Sequence, residues 1–222
     1  MIRRDIVLAL AALAGAVSLC GAQGKPLVRA SNEMQGPPLR FVVAPTGNEA
    51  RYRVREQLVN LDLPNDAVGV TKEISGQLLV TPSGSVIADS SKITVNVSVL
   101  KSDKDRRDNY IRTHTMETAK YPTVTIVPKS FIGLVAKPGA APMEFDMLGD
   151  LTVHGTTHPT TWKVKAHSEG GDIVGTATTT FTFKDFSLDQ PKVSVLLSVE
   201  DTIKLEYDFR FTPAGKATTN AP

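Results

Sequence analysis

The sequence predicts an all-β protein of antiparallel strands with one short helical connector, and three observations carry that reading. Apolar and polar residues alternate with period two in about eight separate runs, as half-buried strands do. The runs are separated by short turns rich in Gly, Asn and Pro. Only residues 102–122, SDKDRRDNYIRTHTMETAKYP, break the alternation, with crowded charges and irregularly spaced Tyr110, Ile111, Met116 and Ala119. Strands with one wet and one dry face in this number close into a barrel or pack as a sandwich, and periodicity does not choose between them.

Residues 1–22 read as an export signal. Arg3 and Arg4 precede an apolar run over residues 6–13 that is too short for a finished membrane anchor. Small residues place the cut after Ala16 or, with a more usual apolar length, after Ala22. The Arg3-Arg4-Asp5-Ile6-Val7 run also resembles a twin-arginine signal, so the general secretory and twin-arginine routes both stay open. Cys20 is the only cysteine, and Leu19 before it is too large for a lipoprotein site, so the exported chain would carry neither thiol nor disulfide. The expected location is periplasmic or secreted. Residues 23–40, with Pro26, Gly36, Pro37 and Pro38, read as a flexible tether, residues 41–212 as one domain, and residues 213–222 as a loose tail.

The strands follow in order. Residues 50–58 set Tyr52, Val54 and Leu58 against Arg51, Arg53 and Arg55; residues 68–80 set Val68, Val70, Ile74, Leu78 and Val80 against Thr71, Glu73, Ser75 and Gln77. Residues 93–99 carry Ile93, Val95, Val97 and Val99 on the dry face. A fourth strand starts at residues 123–127 and can continue to Val135. Residues 143–153 turn Met143, Phe145, Met147, Leu151 and Val153 inward, and residues 157–167 turn Trp162, Val164 and Ala166 inward. Residues 173–183 present Ile173, Gly175, Ala177, Thr179, Phe181 and Phe183, and residues 201–211 present Ile203, Leu205, Tyr207, Phe209 and Phe211. In the connector, Asp103 is placed to cap a first helical turn, and Pro122 bars helix beyond Tyr121.

Two segments carry a family resemblance. The connector, with its Ser-Asp pair, Arg107-Asp108, a spaced Arg112 and Lys120-Tyr121-Pro122, resembles the YceI-like family. GDLTVHGTTHP at residues 149–159 is similar to that family's second signature, and the resemblance spans about Phe41 to Phe211. Where many members have a His-Ser pair, this chain has Gly47-Asn48-Glu49-Ala50. The resemblance implies an eight-stranded lipocalin-like β-barrel whose interior holds a long isoprenoid chain.

Other chemistries find less support. His154 and His158 flank a tight turn, but metal ligation needs further ligands, and a hairpin with solvated imidazoles is the simpler expectation. No Gly-x-Ser-x-Gly elbow or phosphate loop occurs, so no catalytic residue is expected. The formal charge of +2, falling to about +1 without residues 1–22, is too low for the basic face that nucleic acid demands.

The expected function is therefore an exported, non-enzymatic carrier or sequestering protein for a polyisoprenoid, either a prenyl quinone or a polyprenyl lipid, with no cofactor and no stable membrane insertion. Its oligomeric state stays open, a homodimer included. Candidate lining residues are Tyr52, Val54, Leu78, Val95, Val97, Phe145, Met147, Trp162, Val164, Ala177, Phe181, Phe183, Leu205, Tyr207 and Phe209. Arg107, Asp108 and Arg112 form a head-group cluster or, with Arg107 pairing Asp108, a structural pin. The competing expectation is an exported interaction or stress-related module with a filled core. Small Gly175, Ala177 and Ala166 on one inward face fit either open space or bulky neighbours reaching across.

Overall fold

The computed structural model describes residues 36–59, 61–134 and 142–215. In chain order the strands are β1 (Leu39–Val43), β2 (Glu49–Leu58), β3 (Asn65–Thr71), β4 (Ile74–Val80), β5 (Lys92–Asn96), β6 (Thr123–Ile132), β7 (Met143–Val153), β8 (Thr156–Glu169), β9 (Asp172–Thr182) and β10 (Leu196–Pro213). One helix, α1 (Asp105–Tyr110), continues into a π-helical turn (Ile111–Thr115) between β5 and β6.

These segments occupy eight positions of a closed antiparallel barrel. β1 and β2 pair with the same edge of β10, Val43 opposite Phe211 and Glu49 opposite Asp208, so they form one bent strand. β3 and β4 bend alongside them, Thr71 opposite Ala50 and Gln77 opposite Val42. Each position then pairs with its neighbour in sequence, and the second edge of β10 pairs with β9 to complete the circle. The circle closes through β1, β4 and β10, while β3 pairs along one side with β2 and meets the chain after β5 on its other side through a single bridge, Val70 to Lys101.

The bend between β1 and β2 is held by Asn48, at the place where the sequence departs from the family signature. Its Nδ2 donates to the Ala44 carbonyl at 2.8 Å, and its Oδ1 accepts from Tyr207 Oη at 3.1 Å and from the Arg210 amide at 3.0 Å. The outward faces are polar. Arg51 reaches Glu49, Glu206 and Asp208, while Arg53 and Arg55 share Asp66. Each contributes modestly, as exposed ion pairs do, but together they match the register of β3, β2 and β10.

The inward faces form one core around Trp162, Leu151, Phe181 and Ile203. Trp162 is 1% exposed, and its indole N–H donates to Thr160 Oγ1 at 3.0 Å. After β9 a short 3-10 turn (Phe183–Phe186) buries Phe186 against the Phe181 ring, and Thr182 and Asp185 cap it reciprocally.

Several boundaries differ from expectation. β1 begins at Leu39, inside the stretch read as a tether, and β10 begins at Leu196 rather than near residue 201. β5 ends at Asn96, and β6 ends at Ile132. The expected continuation of β6 stops at Ile132, before Gly133 and Leu134, while Val135, the export signal with Cys20, and most of the tether and tail fall outside the described residues. The strand read over residues 68–80 breaks at Lys72-Glu73, because its two halves face different partners. Its first half turns Ala67 and Thr71 inward rather than Val68 and Val70, since Ala67 lies opposite the inward Val54 and Val68 opposite the outward Arg53.

Gly175 shows how one part of the interior is filled. A Cβ there would lie 2.1 Å from the Lys165 carbonyl oxygen and 2.8 Å from Phe209 Cζ. Gly175→Ala is expected to destabilise by ~1–3 kcal/mol through overpacking. Chemical denaturation of variant and parent checks this; an unchanged midpoint would show that the ring has room to move.

Candidate functional site

The barrel interior is divided. Towards the end reached by the β4–β5, β6–β7 and β8–β9 connections, aromatic rings meet in contact, with Phe131 and Phe145 centroids 5.2 Å apart and Phe209 and Phe211 5.6 Å apart. Towards the other end the strands enclose a cavity of about 770 Å³. Its walls are mainly aliphatic and aromatic: Val54, Ala67, Val95, Val97, Val124, Ile126, Val153, Trp162, Phe181, Ile203 and Leu205, with Tyr52 and Tyr207. This is the size range of ligand sites.

Of the residues expected in the lining, Tyr52, Val54, Val95, Val97, Trp162, Phe181, Phe183, Leu205 and Tyr207 face this cavity. Leu78, Phe145, Met147, Val164, Ala177 and Phe209 belong to the packed part of the core and its border. All share the inward register. Level along the barrel axis, which alternation does not encode, separates the two groups.

The connector lies across the open end and contributes Arg107, Tyr110, Ile111, Thr115 and Met116 to the lining. Arg107 fastens it. Its Nη2 meets Glu56 Oε1 at 2.5 Å, and its Nη1 bonds Asp103 and Ser102 Oγ. Glu56 is 6% exposed and stands on the inward register of β2 with Tyr52 and Val54. Burial alone would lower the proton affinity of the guanidinium; the bonds to Asp103 and Glu56 outweigh it and raise it. The Arg107 bond also holds the Asp103 carboxyl below its ordinary value.

Two expectations about the connector are corrected. Asp103 does not cap α1, whose N-cap is Lys104 without a side-chain bond; Asp103 is drawn instead to Arg107 one turn on. Arg107 and Asp108 do not pair with each other. The buried Asp108 accepts at Oδ1 from the Ser102 amide at 2.9 Å and from Ser102 Oγ at 2.6 Å, closing the chain back on itself before the helix. Adjacent residues on a helix point about 100° apart, so a neighbour in sequence is a poor ion-pair partner. Arg112 donates to the Leu100 carbonyl at 3.4 Å and lies outside the cavity lining.

The β7–β8 hairpin clasps the far end of the connector. His154 and Gly155 form its two-residue turn with φ of 50° and 75°, the geometry that suits tight hairpins. His154 Nε2 bonds Glu117 Oε2 at 2.7 Å, and its ring meets Tyr121 edge-on at 4.4 Å. This imidazole is therefore engaged rather than solvated, while His158 lies against the Phe186 ring. Glycine is required at 155 twice over: by its φ, and because a Cβ would lie 2.8 Å from Tyr121 Cε1.

Polar groups gather at the connector side of the cavity. Tyr52 Oη, Asn65 Oδ1 and Thr115 Oγ1 are buried without a protein partner among the described residues. Burial pushes the Tyr52 hydroxyl pKa up, with the nearby Arg107 charge opposing, so it stays a neutral donor. The sequence reading missed Glu56, Asn65 and Thr115. Only Glu56 left a signal, an acid on a dry register that needs a cation to follow it inside.

The comparisons with known proteins bear on this architecture. Residues 41–211 match the family model described as the YceI-like domain. The chain belongs to the YceI-like family. Among its curated relatives, Protein YceI of Escherichia coli O6:H1 is 31% identical over 126 residues, which cover 51% of this chain and 62% of that protein. The chain thus spans less than two thirds of the length of these curated YceI relatives. Solved structures share the fold, two of them as follows. A polyisoprenoid binding domain from Saccharophagus degradans superposes with a TM-score of 0.61 at 14% identity, covering 79% of this chain and 99% of that one. BcnA of Burkholderia cenocepacia superposes with a TM-score of 0.56 at 15% identity, covering 76% and 98%. In this YceI-like chain the two signature segments are the connector and the hairpin that clasps it.

Removing one member of the Arg107–Glu56 pair leaves a buried charge alone. Glu56→Gln and Arg107→Ala are each expected to destabilise by about 3–5 kcal/mol. A double-mutant cycle should return a clear coupling energy for Glu56 with Arg107 and a much smaller one for Arg107 with Asp108. Equal couplings would contradict this account of the connector.

Proposed function

We propose that this protein binds a polyisoprenoid lipid in the cavity and carries or sequesters it outside the cytoplasm. The observation that carries the reading is the cavity of about 770 Å³, walled mainly by apolar side chains, inside a closed barrel and open beside the connector. Family membership supports it, as does the fold shared with a protein described as a polyisoprenoid binding domain. The mechanism is desolvation, with no bond made or broken. Each methylene-sized group moved from water into the cavity contributes about 0.8 kcal/mol, offset by the ordering of a long chain.

Tyr52, Asn65 and Thr115 supply the polar fix point. A buried hydroxyl or amide without a partner costs about 1–3 kcal/mol, which a head-group carbonyl, ether or hydroxyl would recover. Arg107 is already satisfied by Glu56, Asp103 and Ser102, so it serves the head group indirectly by holding the connector in place. A module with a wholly filled core fits only the packed part of this interior.

Two enlargements at inward alanines separate the two parts. Ala67 lines the cavity and Ala177 lies in the packed core. Ala67→Phe should abolish the lipid recovered by mass spectrometry of an organic extract while the lipid-free protein melts close to the parent. Ala177→Phe should instead cost ~1–3 kcal/mol of stability. Lipid absent from the parent itself would count against the carrier.

Export rests on the Arg3-Arg4 start and the apolar run after it. Intact mass of protein from the extracytoplasmic fraction should show a chain beginning near Gln23. A full-length chain confined to the cytoplasm would end this part of the reading.

A further inference from the structure

Among the described residues, the mouth of the cavity has an exposed apolar rim. Among the described residues eight large apolar side chains are exposed, and five of them lie on two adjoining segments: Val59, Leu61 and Leu63 after β2, and Val195 and Leu197 at the entry to β10. Leu63 is 76% exposed and Leu197 64%. The segments are tied together, since the Val59 amide donates to the Val195 carbonyl at 3.0 Å and Leu58 lies opposite Leu196. Leu61 and Val195 also line the cavity, so the two exposed segments reach from its interior to the rim.

We propose that this rim docks on the surface of a lipid bilayer and joins the cavity to the hydrocarbon region. The side chains are all aliphatic and lie at one end of the barrel, four in the connecting segments and Leu197 at the start of β10. Protein-binding hot spots are instead enriched in Trp, Tyr and Arg. Around the mouth Arg106 and Lys192 form no ion pair among the described residues, which suits anionic head groups, while Asp62 and Asp189 on the same segments keep the charge contribution small. Insertion is shallow, because the outward strand faces carry the Arg51, Arg53 and Arg55 ion-pair network and would not enter hydrocarbon. The role in transfer rests on the carrier reading: a long apolar chain that left a bilayer through water would expose its whole surface, and a docked rim removes that step.

The test is flotation of the parent protein with vesicles of phosphatidylcholine, alone and mixed with phosphatidylglycerol. The parent should float with the mixed vesicles. The Leu63→Glu, Leu197→Glu double variant should lose tenfold or more in partitioning, with its melting temperature and its extracted lipid unchanged, since neither residue lines the cavity. Leu63→Glu alone should lose part of the binding, which keeps the test valid should the double variant fold poorly. Leu39→Glu, at an exposed leucine of the opposite end, should float like the parent. Three results would overturn the proposal: parent protein that stays soluble with both vesicles, a well-folded double variant that floats as well as the parent, or sedimentation showing that the rim is covered by a second copy. Vesicle binding by a parent that yields no extracted lipid supports the docking surface and removes the carrier. Extracted lipid without vesicle binding does the reverse.

Discussion

Closure through β10 is the constraint on which the rest depends. That strand gives one edge to β9 and the other to both β1 and β2, so backbone hydrogen bonding seals the wall without side chains having to meet at the centre. A wall held this way can enclose space, because its integrity does not require a filled interior. The bend at Asn48 makes the geometry workable: two short strands share one neighbour, and a single buried amide holds the carbonyl, hydroxyl and amide groups left over between them.

Having closed laterally, the barrel is finished differently at its two ends. At one end two aromatic pairs, Phe131 with Phe145 and Phe209 with Phe211, pack in the interior. At the other the long connection between β5 and β6 lies across the opening, and Arg107 must be brought against Glu56 to hold it there. A buried ion pair contributes little net stability but is strongly specific, because either charge alone would be costly inside. It defines where the connector sits. The hairpin turn at His154 and Gly155 anchors the other end of the same segment through Glu117 and Tyr121. The two family signatures, distant in sequence, are thus two halves of one fastening.

The same arrangement explains why hydroxyl and amide atoms are left unpaired within an otherwise apolar space. Tyr52, Asn65 and Thr115 come from β2, β3 and the connector, and each is oriented by its own element rather than by the others. Groups gathered in this way suit a small polar head on an apolar chain. The Leu63 and Leu197 side chains lie just beyond the same opening, so dry wall, polar fix point and apolar rim succeed one another along one path.

Most of the fold was legible in the sequence because period-two alternation is imposed locally: a strand with one dry face must place its apolar residues at every second position. That rule located the strands, most of their inward residues and the connector as the one break in the pattern. It failed on β3, where the small Ala67 and Gly69 and the polar Thr71 take the inward register instead of Val68 and Val70. Family resemblance selected the barrel over the sandwich. Tertiary structure decided what alternation does not carry. Position along the axis separates Trp162, beside the cavity, from Ala177, in the packed core, although both occupy dry registers. Ion-pair choice depends on direction in space, so Arg107 selects Glu56, 51 residues away in sequence, over the adjacent Asp108. The interior is open at one end and filled at the other because the lengths and tilts of all the strands together set its width, and no single segment of sequence contains that information.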